Sequence, residues 1–282
     1  MDTLKVIARL IDDADFLVEH KRYHSALTLL LVAVAASSVK MFPKGTSSID
    51  SPPKPGKKDR GMPDREKFLR FLGERIRKVI LGDPWGPEDG RHASLMAFTE
   101  GPQPEEVLYE LYRCPLIHEG GLPQDVRFSP ETEQEDAGYG FRSLNRKLQF
   151  THGVLRLLRA VVVDAPVNGI EFGKNFFRLV PNDSKSVHDL HNEIALSIQS
   201  SPGRVGILHV GLQEIGPSAT SADDQKLRQL FLESPTGRRK PSGLRTEGPY
   251  SPICDNEGRL TENGIGVARL ILRECTYVDA AR

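Results

Sequence analysis

Apolar residues near the start of the chain recur every three or four positions, which is the period of an amphipathic helix. This pattern predicts a first helix over about residues 3–21. The next stretch, YHSALTLLLVAVAASSVKMF, is apolar nearly all round and predicts the buried central helix of a bundle, which Pro43 ends. A loop rich in Pro, Gly and Lys follows, and a third, strongly basic helix is predicted from Asp64.

Two further helices are predicted before residue 167. In QPEEVLYELYRCPLIHEGG, Pro104 and the two glutamates after it suit a helix N-terminus, and the glycine pair ends the fourth helix. The polar run LPQDVRFSPETEQEDAGYGF predicts an excursion such as a short hairpin. The stretch SLNRKLQFTHGVLRLLRAVVVDAP predicts a fifth helix, which Pro166 stops. Residues 1–166 therefore form a predicted bundle of about five helices.

The pattern changes in residues 167–282. The runs IEFGKNFFRLV and RVGILHVGLQEI are short, apolar and bounded by Gly and Pro, which predicts strands. SADDQKLRQLFLES and LTENGIGVARLILREC predict helices capped by Ser221 and Thr261. The basic stretch PTGRRKPSGLRTEGPYSP predicts a loop. The expected fold class is mainly α, with the N-terminal bundle followed by a small mixed α/β or extended C-terminal region.

Composition narrows the classes of protein that this chain can be. Its 282 residues contain 38 basic and 38 acidic side chains, so an anionic partner must be met by a local basic patch. The three cysteines are odd in number and form no CxxC, which argues against a disulfide framework or a cysteine-rich zinc site. The longest apolar run is shorter than the roughly 20 residues that span a membrane. We expect a cytoplasmic protein without a membrane segment, metal or cofactor.

The stretch YRCPLIHEGG carries the strongest candidate chemistry. Arg113 offers a rigid fork of donors suited to a phosphate, and His118 belongs to the residue type that exchanges protons near neutral pH. On a straight helix the two side chains would point about 140° apart. Pro115 lies between them and predicts a kink that could bring them together, or two copies of the motif could meet across a dimer axis. Alternatively, both residues simply complement the dipole at a helix C-terminus.

This motif and the apolar helix SALTLLLVAVAASS together resemble the HEPN superfamily over about residues 1–165. Members of that superfamily carry an Arg-x4–6-His motif on a helical bundle, and many are metal-independent endoribonucleases of bacterial defence or toxin–antitoxin systems. The resemblance implies that Arg113 and His118 are the catalytic pair, in a composite site of a homodimer. It also implies RNA as the substrate and allows a protein antitoxin as a partner.

One position departs from the superfamily pattern. Active members place a polar residue such as Asn, Asp or His directly after the arginine, whereas this chain has Cys114, and a thiol is a poor hydrogen-bond donor. A second hypothesis is therefore a non-enzymatic helical module that binds RNA, a nucleotide or a protein. In a third, the C-terminal region performs recognition, since RLTENGIGVARLIL loosely resembles the LT-x2-G helix of winged-helix DNA binders.

Several other side chains are candidates for contact with RNA. They are the neighbours of the motif and basic residues of the third helix: Tyr112, Glu119, Arg70, Arg77 and Lys78. The basic residues either follow a phosphate backbone or form an ordinary solvated face that pairs with Glu66 and Glu74. The stretch TGRRK has the same two interpretations.

The remaining histidines suggest little chemistry. His188 and His191 share a helix face but have no evident third zinc ligand, so surface histidines are the simpler interpretation. His24 is expected to have a local structural role. His152 is a minor candidate for a position beside the motif.

Overall fold

The computed structural model is mainly helical, as the sequence predicts, and small sheets accompany the helices. The chain divides into two compact units, Met1–Lys174 and Asn175–Arg282. The sequence placed the division at residue 166, ahead of a short 3-10 helix that packs against helices of the first unit. The described residues are 5–53, 56, 59–81, 103–111, 126–128, 141–144, 147–245 and 252–280.

Helices form most of the first unit. The described ones are α1 (Val6–Glu19), α2 (Tyr23–Met41), α3 (Asp64–Leu81), α4 (Pro104–Leu111), α5 (Gly153–Val163) and the 3-10 helix Pro166–Phe172. The predicted order and approximate bounds of the first three helices are confirmed. Their apolar faces meet in one core that includes Ile11, Leu31, Phe71 and Leu158.

Helix α2 is the centre of this core. It contacts α1, α3, α5 and the 3-10 helix, and Leu27, Leu30 and Leu31 are buried among them. Within the described part of the chain, α2 alone is long and apolar enough to cross a membrane, a property that the core helix of a soluble protein shares. Its packing is that of a core helix, in line with its apolar pattern on all sides.

A three-stranded sheet in the first unit corrects the predicted fifth helix. Strands β1 (Val126–Phe128), β2 (Phe141–Leu144) and β3 (Lys147–Phe150) pair in the order β1–β3–β2, with β1 parallel and β2 antiparallel to β3. Helix α5 therefore begins only at Gly153, after His152 as the N-cap residue. Leu144 and Leu148 recur at helical spacing, but pairing between strands overrides the local pattern.

The second unit surrounds its own core with short helices and a two-stranded antiparallel sheet, in which Phe177 pairs with Asp279 and Pro181 with Cys275. The elements are β4 (Phe177–Pro181), α6 (Val187–Ser197), α7 (Pro202–Ile215), α8 (Ser218–Ser221), α9 (Asp224–Glu233), α10 (Pro235–Arg239), α11 (Ser242–Arg245), α12 (Glu262–Glu274) and β5 (Cys275–Asp279).

Helix α7 overturns the strand predicted for RVGILHVGLQEI. Ser201 caps the helix by accepting a hydrogen bond from the Arg204 amide, and Pro202 occupies its first turn. Val205, Leu208 and Leu212 are buried at helical spacing. The run is also longer than most strands, and the Ser-Pro pair before it is the signal that favours a helix.

Other expectations for the second unit are met in part. Helix α12 begins after Thr261, whose hydroxyl accepts a hydrogen bond from the Gly264 amide, as predicted. Close packing explains the glycine at position 264, since an added Cβ would lie 2.0 Å from the carbonyl oxygen of Ile253. Helix α9 is capped by Asp223 rather than Ser221. The predicted strand in IEFGKNFFRLV is confined to β4, and the predicted basic loop contains α10 and α11.

Candidate functional site

The motif itself lies beyond the last described residue of α4. Arg113 and His118, together with Tyr112 and Glu119, fall outside the described residues, as do Cys114 and Pro115. The description of this part of the chain ends at Leu111, one residue before the motif begins. The packing of α4 therefore defines the nearest described surroundings of the candidate pair.

Helix α4 packs on α3 with the opposite direction. Tyr109 meets Phe68 edge to face at 5.3 Å between ring centroids, and the Arg65 guanidinium lies 5.8 Å from the centre of the Tyr109 ring. Four residues earlier on α4, Glu105 approaches Gly73, where an added Cβ would come within 3.3 Å of a carboxylate oxygen. The C-terminal end of α4 thus lies beside the first turns of α3.

The basic face of α3 is largely buried, not solvated. Arg70 is 4% exposed, Arg75 0% and Lys78 8%, whereas Arg77 is exposed to solvent. Lys78 pairs with Glu74 at 2.8 Å, and Arg75 donates to the main-chain oxygen of Asp164. The expectation of a solvated face is wrong for Arg70 and Lys78, because carboxylates one helical turn earlier neutralise them within the fold.

Glu66 is the centre of the best-defined of these networks. Its carboxylate accepts hydrogen bonds from the Ser48 hydroxyl at 2.6 Å, from the amides of Ile49 and Asp50, and from Nε of Arg70 at 3.0 Å. Burial alone would raise the pKa of Glu66, but these hydrogen bonds lower it below its ordinary value. The network anchors the loop before α3 to the helix.

The proposed RNA contacts on α3 are also spread along its length. Arg77 lies twelve residues after Arg65, which at the α-helical rise corresponds to about 18 Å along the axis. The end of α4 lies beside the first turns of α3, whereas Arg77 and Lys78 lie in its last turns. Arg65, one of the basic residues of the predicted third helix, is therefore the α3 cation nearest to the described end of α4.

A cluster of aromatic rings and histidines lies elsewhere on the first unit. His152 stacks on Phe128 with ring centroids 5.5 Å apart, and His24 stacks on the same ring at 5.5 Å. Tyr23 lies 4.1 Å from the His152 ring, centroid to centroid. His24 is exposed, while the other three rings are partly exposed. Such rings can stack on nucleobases, and imidazoles can transfer protons. No local pattern in the sequence connects Phe128 with these histidines.

A second histidine pair lies in the C-terminal unit. Nε2 of His209 is 3.1 Å from the main-chain oxygen of Leu179, and Nδ1 of His209 is 3.0 Å from Nε2 of His191. Because a carbonyl oxygen only accepts, His209 donates from Nε2, so its neutral ring accepts from His191 at Nδ1. The pair therefore links α6, α7 and β4. The expectation of two surface histidines holds for His188 and is wrong for His191.

Burial dominates the acid–base properties of this unit. It lowers the pKa of His209 to about 4, with His191 adding to the effect, and it lowers the pKa of His191. It raises the pKa of Cys254 to about 12 and that of Cys275 to about 11, so neither thiol has the character of a nucleophile. No group of three or more metal-ligating side chains is assembled within the described ranges.

Comparison with known proteins gives one match. A family model described as Rv1289 matches residues 6–190, which is more than half of the chain. The matched range begins at the start of α1 and ends within α6. No curated protein matches the chain, and no solved structure matches it.

Proposed function

The chain belongs to the Rv1289 family, and we propose that its helical unit is a metal-independent endoribonuclease of the HEPN type. The observation that carries this proposal is the Arg113-x4-His118 motif, which follows α4 directly in a mainly helical unit. The substrate is RNA, the protein is cytoplasmic, and the reaction uses no metal ion or cofactor. The biological setting is bacterial defence or a toxin–antitoxin pair.

Each member of the motif has one role in this proposal. His118 exchanges a proton with the ribose 2′-hydroxyl or with the leaving 5′-oxygen, and Arg113 holds the scissile phosphate. General acid–base catalysis contributes roughly 10²–10⁴-fold in rate, and stabilisation of the developing charge on phosphate adds to it. A homodimer would supply two such pairs to one composite site, and a protein antitoxin would act by covering it.

Two described features of the first unit support RNA as the ligand. The exposed Arg65 lies over Tyr109 in the last turn of α4, close to the start of the motif, and also pairs with Glu106 at 3.4 Å. The exposed His24, with Tyr23 and His152 beside Phe128, provides rings on which bases can stack. Arg77 remains an exposed cation at the far end of α3, where only a long RNA would reach it.

Cys114 supports a second candidate function. The residue after the arginine is polar in active HEPN members, and a thiol offers only a weak donor in its place. In this alternative the helical unit has no catalytic activity and binds RNA, a nucleotide or a protein partner. The substitution Cys114→Asn separates the two functions, because restored cleavage would identify an inactive member with an otherwise intact site.

The direct test is cleavage of RNA in the presence of EDTA. The wild type is expected to cut, and His118→Ala and Arg113→Ala are each expected to reduce the rate by about 10²-fold or more. Exposed residues of the same types provide matched controls, and His188→Ala and Arg9→Ala are expected to cut at the wild-type rate. Intact RNA with the wild type, or equal cleavage by the motif variants, would sink the enzymatic proposal.

A further inference from the structure

The arginines of the C-terminal unit fall into two groups. In the first group each guanidinium pairs with a carboxylate: Arg228 with Glu262, Arg269 with Asp224, and Arg273 with Glu274. The exception is the stretch Arg238–Arg245, called here the basic segment, which covers the end of α10 and all of α11. It contains four cations and no acidic residue.

Three cations of the basic segment make no ion pair. Arg238 and Lys240 are exposed, Arg245 is partly buried, and none of the three has a carboxylate within ion-pair distance among the described residues. Nε of Arg245 is buried without a hydrogen-bond partner in the described structure. Arg239 differs from the other three, because its charge acts on the buried carboxylate of Glu214.

A turn that follows in the chain holds the basic segment in place. The amides of Ile253 and Cys254 both donate to the main-chain oxygen of Leu244 at 3.0 Å. At the tip of this turn, an added Cβ on Gly258 would lie 3.2 Å from Cγ of Lys240. The charge of Arg245 acts on Cys254 at its base. The backbone at Leu244 and the side-chain stem of Lys240 therefore lie against an ordered turn.

The acidic residues of that turn are already occupied. Asp255 accepts from Nε of Arg259 at 2.8 Å, and Glu257 lies 3.0 Å from the same guanidinium. Partial burial would raise the pKa of Asp255, but the hydrogen bonds and charge of Arg259 lower it. Arg259 thus neutralises one of the two negative charges of the turn and holds both carboxylates, while Arg238 and Lys240 are left exposed to solvent.

Helix dipoles do not account for this concentration of charge. Cations at a helix C-terminus gain stability from the dipole, but α10 has only five residues and α11 four, so both dipoles are weak. Other side chains accept the hydrogen bonds of the backbone amides at the start of α10. Ser234 accepts from the amide of Gly237, and Glu214 accepts from the amide of Thr236. The side chains of Arg238 and Lys240 show no comparable hydrogen bond or ion pair among the described residues.

We propose that the basic segment binds the phosphodiester backbone of a nucleic acid. Spaced cations without carboxylate partners suit successive phosphates, and contacts to phosphate carry no sequence information, so we expect this binding to be independent of base sequence. The contact does not depend on the proposed cleavage activity of the helical unit. It gives the C-terminal unit a binding role of its own.

The test measures affinity of the full-length protein for labelled single-stranded RNA and DNA of about 20 nucleotides, as a function of salt. The variant Arg238→Gln/Lys240→Gln/Arg245→Gln removes three contacts. With a slope of about −0.7 in log affinity against log salt for each phosphate, affinity should fall on the order of a hundredfold at 0.1 M salt, and the slope should shrink by about 2. The double variant Arg238→Gln/Lys240→Gln changes only exposed residues and should bind about 20-fold more weakly. It replaces the triple variant in the test if the triple variant folds poorly.

The matched control is Lys185→Gln/Lys226→Gln/Arg273→Gln, which removes the same charge from exposed positions elsewhere in the unit. This control variant should keep most of the wild-type affinity and the wild-type slope of log affinity against log salt. A parallel loss of affinity for RNA and for DNA in the triple variant supports a phosphate contact. An equal loss in the control, no binding by the wild type, or binding to anionic phosphatidylglycerol vesicles but not to either nucleic acid would overturn the proposal.

Discussion

Helix α3 and the basic segment both present a run of Arg and Lys in the sequence, yet the fold uses the two runs in opposite ways. In α3, Glu66 precedes Arg70 and Glu74 precedes Lys78 by one helical turn, and all four side chains are buried. The basic segment itself contains no acidic residue, and Arg238 and Lys240 are exposed and make no ion pair with a described residue. Density of positive charge alone therefore does not identify a binding surface; the placement of carboxylates decides it.

The two units also bury polar groups by different means. The first unit uses ion pairs around Glu66, whereas the second uses the neutral pair His191 and His209. An ion pair contributes to stability until its carboxylate is protonated. A buried neutral histidine begins to reduce stability at a higher pH, because the unfolded chain then binds a proton that the folded chain does not. The stability of the two units should consequently depend on different residues and should change over different ranges of pH.

The largest expected effect comes from the glycine that supports the basic segment. A Cβ at Gly237 would lie 1.9 Å from the main-chain oxygen of Phe231, and backbone cannot move aside as a side chain can. Gly237→Ala should reduce the free energy of unfolding by about 3 kcal/mol or more. Gly243→Ala, which meets only a methyl of Ile207 at 3.4 Å, should stay within about 1 kcal/mol of wild type. Urea denaturation measures both, and equal effects would contradict the packing.

Acidification should weaken the second unit first. The pKa of His209 is about 4 in the fold against 6.5 in the unfolded chain, so between these values the unfolded chain binds a proton that the folded unit does not. Stability is complete above pH 6.5 and falls by about 3 kcal/mol on the way to pH 4. Hydrogen exchange of α7 peptides in urea at each pH measures this loss.

Two comparisons make the pH prediction specific. His209→Gln should flatten most of the dependence between pH 6.5 and 4. His188→Gln should change it only slightly, because the exposed His188 adds a smaller effect than burial to the lowered pKa of His191. Peptides of α3 should keep their protection in the upper part of this range, since the lowered pKa of Glu66 makes its contribution complete above 4.5 and lost only at lower pH. An unchanged slope in His209→Gln would exclude the histidine pair as the cause.

Removing a buried cation from α3 should have a smaller effect. Arg70→Gln leaves Glu66 with its bonds to Ser48 and two amides, so the cost is about 2 kcal/mol rather than that of a fully unpaired charge. The exposed Arg77→Gln on the same helix should change stability by less than about 0.5 kcal/mol. Chemical denaturation compares the two, and the comparison fails if Arg70→Gln is as stable as Arg77→Gln.

The smallest effect on stability is expected in the basic segment. Arg238 and Lys240 make no ion pair in the described structure, so Arg238→Gln/Lys240→Gln should leave the free energy of unfolding within about 0.5 kcal/mol of wild type. A loss of 2 kcal/mol in the same denaturation experiment would mean that these cations are structural, as those of α3 are.

Local signals in the sequence predicted the elements that have clear period and caps. Helix α2 followed from its apolar run, α3 from its amphipathic pattern, and α12 from Thr261 at its start. The strand predicted for RVGILHVGLQEI failed although Ser201 and Pro202 give a local signal for a helix, whereas the predicted fifth helix failed because pairing between segments decides the structure. Strands β2 and β3 share residues with a helical pattern, and only their pairing with each other and with β1 makes them strands.

The candidate site was predictable in type but not in surroundings. The motif of Arg113 and His118 is visible in the sequence alone, whereas the contact between His191 and His209 joins two helices and has no local pattern. The burial of Arg70 had a signal, the glutamate four residues before it, but that pattern is equally typical of an exposed helix. Only packing against Ser48 and its loop distinguishes the two.

The most direct test of the contrast between the two basic runs is a crossed measurement of nucleic-acid affinity. Arg70→Gln and Arg238→Gln/Lys240→Gln are each titrated with labelled single-stranded RNA at 0.1 M salt, under conditions in which both are folded. We predict wild-type affinity for Arg70→Gln, and an affinity about 20-fold weaker for the pair in the basic segment. Weaker binding by folded Arg70→Gln together with unchanged binding by the pair would contradict the account.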